Sequence, residues 1–137
     1  MKSRESLIRL KRFQVDEKRR QVAQIEAMIA DFDRMANELD REIAYEEQRA
    51  GINDPSHFAY PTYAKAAMVR RSNLRDSAND LKDKLDLAKA DLAEAFEELK
   101  KVEILDDREK ATERAAEASR DQMDMDRIAL ARSTMRG

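Results

Sequence analysis

Every strong helix breaker in the interior of this chain falls within one stretch of eleven residues. Gly51, Pro55 and Pro61 lie between positions 51 and 61, and the other glycine is Gly137. Glycine and proline are the residues that most reliably punctuate secondary structure, so a fold with many turns is excluded. The flanking segments are made of helix formers: Ala, Leu, Glu, Lys and Arg fill 73 of the 137 positions. Aromatic residues make up 5% of the chain, and the β-branched residues from which sheets are built are scarce. The expectation is an all-α chain of two long helices, helix one over about residues 3–50 and helix two over about 62–133, joined by an apex loop at 51–61. Residues 1–137 then form a single antiparallel coiled-coil hairpin.

The apolar residues carry the same message. From Ile8 onward one row recurs every seven residues (Val15, Val22, Ile29, Ala36, Ile43). A companion row runs three places behind it, through Lys11, Lys18, Ile25, Phe32 and Leu39. These are the a and d positions of a coiled coil, whose seam loosens at the two lysines. After Pro61 the period resumes in Ala78, Leu85, Leu92 and Leu99, with Ala67, Leu74, Leu81, Ala88, Ala95 and Val102 as companions. The seam residues are therefore expected to be Val15, Val22, Ile25, Ile29, Phe32, Leu39, Ile43, Leu74, Leu81, Leu85, Leu92, Leu99 and Val102. Gly51 suits a helix C-cap, Asn53-Asp54-Pro55 a turn, and Pro61 the first turn of helix two.

Large-against-small packing suggests a register. It places Ala36 opposite Leu81, Leu39 opposite Ala78, Ile29 opposite Ala88 and Lys11 opposite Asp106. In that register helix one ends opposite about residue 114, leaving roughly 20 residues of helix two without a partner, a length marginal for a lone helix in water. This overhang carries Met123, Met125, Ile128, Leu130 and Met135. It reads either as a solvated tail or as a terminus that docks into another protein, for which adaptable methionines are suited.

Little here supports chemistry. The chain has no cysteine and one histidine, His57, which excludes thiol nucleophiles, thiolate metal sites and an HExxH pair. Two glycines cannot build a phosphate-binding loop. No cofactor or metal is expected, and no residue looks catalytic. No apolar run approaches the length of a bilayer span and no signal-peptide core follows Met1, so the expectation is a soluble intracellular protein without a transmembrane segment. The net charge of −2 gives no overall reason to bind nucleic acid.

Charge is divided unevenly. Residues 1–20 hold eight basic groups against three acids, whereas residues 76–113 hold 13 acids against 7 bases. An antiparallel hairpin lays these segments side by side, so the asymmetry reads first as mutual complementarity and second as a basic end that steers toward an acidic partner. Near the apex, Phe58, Tyr60, Tyr63 and Met68 with Arg70 and Arg71 read either as a cap over the last core layer or as an exposed partner site.

One stretch is more specific. Asp121, Gln122, Met125, Asp126, Ile128 and Ala129 fit the pattern D-Q-x-x-M-D-x-apolar-A, with Ser133 also fitting. Together with the hairpin layout, Leu7-Ile8-Arg9-Leu10 and Tyr45, this resembles the family of the soluble flagellar export protein FliJ. The resemblance implies a non-enzymatic, stalk-like component of the flagellar type III export apparatus. It would bind the hexameric export ATPase and promote its assembly and activity, contact the membrane export gate and handle export chaperones. Its location would be cytoplasmic, peripherally associated with the membrane at the flagellar base. The ATPase-facing residues would be Lys2, Arg4, Arg9 and Arg12 with Asp121, Gln122, Met125, Asp126, Ile128 and Ala129. The gate-facing region would hold Tyr60, Tyr63, Met68, Arg70 and Arg71. The alternatives are the equivalent stalk of a virulence secretion system and a self-associating structural coiled coil.

Overall fold

The computed structural model describes the backbone of residues 2–136 and the side chains of residues 4–136. The chain is all-α. Helix α1 spans Lys2–Ala50 and helix α2 spans Thr62–Arg136, with no strand among the described residues.

The chain reverses where its breakers sit. Gly51 has φ +69°, the left-handed conformation that a Cβ disfavours, and ends α1 as its C′ residue. Its N–H and that of Ile52 both donate to the Glu47 carbonyl, at 2.9 and 3.3 Å, closing the last turn of α1. Asp54 then orders the loop, its Oδ1 accepting from the Ser56 N–H at 3.0 Å and the Ser56 hydroxyl at 2.7 Å. The Lys65 N–H donates to the Pro61 carbonyl at 3.1 Å, so α2 starts directly after the proline.

The chain divides into two compact units. Gln14–Ala95 contains the loop and a core in which Leu39 and Ile43 of α1 pack with Tyr60, Ala64 and Ala67; Ile52, Met68 and Leu74 lie against this cluster. Large α1 side chains facing α2 alanines is the packing the heptads favour. The other unit, Met1–Phe13 with Phe96–Gly137, pairs the start of α1 with the middle of α2 through Lys11–Glu98 and Arg4–Asp106. All thirteen expected seam residues are buried or half-buried.

The register differs from the expected one. Lys11 bonds Glu98 at 2.8 Å, eight residues before Asp106. Leu39 sits with Ala67, not with Ala78, and Asp40 pairs with Arg71 and Arg75. In each unit the pairing lies about one heptad nearer the apex loop on α2 than large-against-small matching suggests. A seven-residue repeat explains this, because sliding one helix by a full heptad preserves which rows meet. With the start of α1 brought to Asp106 and Glu109, α2 loses its cover earlier: every residue from Ala111 to Arg136 is exposed. The overhang has 26 residues, not 20, and at 1.5 Å per residue it is about 40 Å long.

Candidate functional site

The overhang begins where the seam changes chemistry. The row Ala78, Leu85, Leu92, Leu99 continues as Asp106, Glu113, Arg120 and Arg127, so that row carries no apolar residue past Leu99. Asp106 is 6% exposed and lies 3.8 Å from Arg4 and 3.0 Å from Lys110. Buried carboxylates are tolerated when paired. Its hydrogen bond from Lys110 holds that ammonium above its ordinary pKa, and Arg4 also pairs with Glu109. The hydrogen bond from Lys11, at 2.8 Å, correspondingly lowers the pKa of Glu98. The basic start of α1 is thus partly used in holding the unit together. Arg9 and Arg12 remain exposed beside Glu5 and Lys110 at a shallow cleft. The side chain of Lys2 lies outside the described residues.

Beyond Lys110 the helix geometry sorts the side chains. At 3.6 residues per turn, Asp121, Gln122, Met125, Asp126, Ile128 and Ala129 fall within an arc of roughly 160° on one side of α2. Gln122 donates to Asp126 Oδ1 at 3.1 Å along that side. Met123 and Leu130 project from the opposite side. A helix lying in a groove needs one apolar stripe, whereas this one presents apolar groups on two sides. Met123, Met125, Ile128, Leu130 and Met135 are all exposed, Met135 to 90%. Such residues suit a helix gripped from around rather than laid on a flat surface.

In the loop-containing unit the expected gate-facing residues separate. Tyr60 is 7% exposed, within the core, and its hydroxyl donates to the Met68 sulfur at 3.6 Å. Arg71 bonds Asp40 at 2.7 Å, with Arg75 on the other carboxylate oxygen, and this holds the Asp40 carboxyl below its usual pKa. Tyr60, Met68 and Arg71 are therefore engaged internally. Tyr63 and Arg70 are exposed, and the Tyr63 hydroxyl donates to Glu42 at 2.7 Å, which raises the pKa of the phenol. Tyr63 lines an open cleft with Arg41, Glu42, Tyr45 and Glu46. At the tip, Phe58 is 96% exposed and stacks on His57 at 4.8 Å; His57 Nδ1 accepts from the Ala59 N–H. Of this aromatic cluster, Tyr60 lies in the core, whereas Phe58 and Tyr63 are exposed.

Among the described residues, no group of three or more His, Asp or Glu side chains is placed to hold a metal ion, and no helix is long and apolar enough to cross a membrane. Compared with known families, the chain matches the flagellar FliJ protein over residues 1–137. It belongs to the FliJ family. The FliJ family is one of flagellar type III protein export components, and the chain is one of them. Searches of curated proteins and of solved structures returned no match.

Two features of this FliJ-family chain escaped the sequence. Asp40 anchors two arginines of α2, signalled only by an acid next to Leu39 and an Arg71, Arg75 pair spaced i, i+4. The cleft of Tyr45 and Tyr63 depends on the register and so could not be assembled from the heptads.

Proposed function

We propose that this chain is the stalk-like subunit of the flagellar export machinery, binding the hexameric export ATPase with α2 beyond Lys110. One observation carries the reading: 26 consecutive helical residues lack any cover, and they hold the family-like residues Asp121, Gln122, Met125, Asp126, Ile128 and Ala129 with apolar groups on two sides. The exposed Arg9 and Arg12, at the base of this helix, add positive charge that steers an acidic ring opening toward it. The chain acts through binding energy. An asymmetric helix inside a sixfold ring makes unequal contacts with the subunits and biases their states, promoting assembly and turnover. The exposed Tyr63 and Arg70 form part of a second surface, toward the membrane export gate, and export chaperones are further partners. The place of action is the cytoplasmic side of the membrane at the flagellar base.

The test is co-sedimentation and steady-state ATPase measurement with the purified ATPase of the same organism. Micromolar chain is expected to shift the ATPase to hexamers and raise its rate, and an Ile128→Glu, Leu130→Glu variant is expected to do neither. Equal stimulation by that variant, or none by the parent chain, would overturn the reading.

A further inference from the structure

Three of the chain's seven methionines fall within thirteen residues of the uncovered helix. Met123, Met125 and Met135 are exposed to 55, 65 and 90%. Met35 and Met68 are half-buried in the other unit, and the Met68 sulfur holds the Tyr60 hydroxyl. Thioether oxidation follows access of the oxidant to sulfur, and the chain contains no cysteine to compete for it.

We propose that Met123, Met125 and Met135 are a reversible oxidation site that switches off docking of residues 111–136, with a peroxide-class oxidant as co-reactant. This rests on the reading of that helix as the ATPase-binding segment. A sulfur lone pair attacks one oxygen of hydrogen peroxide and an S–O bond forms. The O–O bond breaks with its electrons on the departing hydroxide, which takes the proton from the oxygen now bound to sulfur and leaves as water, so that the sulfoxide remains. Sulfur loses two electrons and the peroxide gains them. A dithiol-dependent methionine sulfoxide reductase reverses the step, returning the oxygen as water and forming a disulfide on the reductase.

Helix geometry makes the modification effective. Met123 projects beside Leu130 on one side of the helix, and Met125 and Met135 flank Ile128 on the other. Oxidation therefore places polar sulfoxides on both apolar stripes, where docking would bury them without hydrogen-bond partners. None of the three belongs to a paired seam, so the helix pairing in each unit is retained.

The experiment oxidises the full chain with graded hydrogen peroxide, follows each methionine by peptide mass spectrometry, and measures binding to the hexameric ATPase before and after. Met123, Met125 and Met135 are expected to oxidise at least about fivefold faster than Met35 and Met68. Binding is expected to weaken by roughly tenfold or more with unchanged helicity, and sulfoxide reductase to restore it. The variant Met123→Leu, Met125→Leu, Met135→Leu, measured against its own untreated binding, is expected to lose no affinity on peroxide treatment, although it keeps the exposed Met28. Equal oxidation rates at all positions, or a leucine variant that loses binding to peroxide as the parent does, would overturn the proposal. Failure of unoxidised parent to bind would instead sink the ATPase reading, while the site-resolved rates would still decide the oxidation site.

Discussion

Replacing Ile43 by alanine tests whether the loop-containing unit is held by the packing of α1 against the small residues of α2. Ile43 is 4% exposed and belongs to the cluster of Leu39, Tyr60, Ala64 and Ala67. Truncation removes three carbons, worth about 0.8 kcal/mol each on transfer, and the facing alanines cannot move in to fill the space. Together the transfer and cavity contributions come to about 3 kcal/mol. For a chain of this length an unfolding entropy of about 2.1 cal/mol/K per residue converts that to a fall in Tm of about 10 °C. The same change at the half-buried Ile25 is expected to cost about half as much. Urea unfolding followed by far-UV circular dichroism measures both. A loss below about 1 kcal/mol at Ile43, or equal losses at both sites, would refute the packing described here.

Gly51→Ala is expected to cost about 1 kcal/mol, since φ is +69° although open space surrounds the new methyl, and a Gly51→Asn variant is expected to recover part of it; no loss in urea melts would deny the left-handed cap. The Asp40 carboxyl has a lowered pKa in the fold, mainly through the Arg71 hydrogen bond, so its stabilisation is present at neutral pH and fades as pH falls through that depressed value. Because the pair is partly solvated, Asp40→Asn is expected to lose under about 1 kcal/mol at pH 7 and less as the pH is lowered, and a larger loss in acid would contradict it.

The sequence carried the element boundaries because the signals are local. Gly51 needs the left-handed region, Pro61 cannot continue a preceding helix, and α1 and α2 stop and start beside them. It carried the seam because burial follows the seven-residue rows. It did not carry the register. Ala36 of α1 meets a leucine of α2 in either of two alignments a heptad apart, Leu81 in one and Leu74 in the other. The choice is made by groups outside the rows: Asp40 with Arg71 and Arg75, Lys11 with Glu98, and Tyr60 folded over the end of the core. The candidate docking helix was legible as a tail of unpartnered apolar residues, but its start at Ala111 was not, because that depends on the register. Tyr60 shows the limit for single residues, since an aromatic near a turn is equally suited to a core and to an interface until its neighbours are placed.

The direct measurement for the docking helix is a binding isotherm for the chain ending at Lys110 against the hexameric ATPase, beside the full chain and with helicity per residue recorded. The expected result is binding too weak to detect at micromolar concentration, with the urea midpoint of the remaining helices within error of the parent. Full-strength binding by the shortened chain, or collapse of its helical structure, would contradict the account.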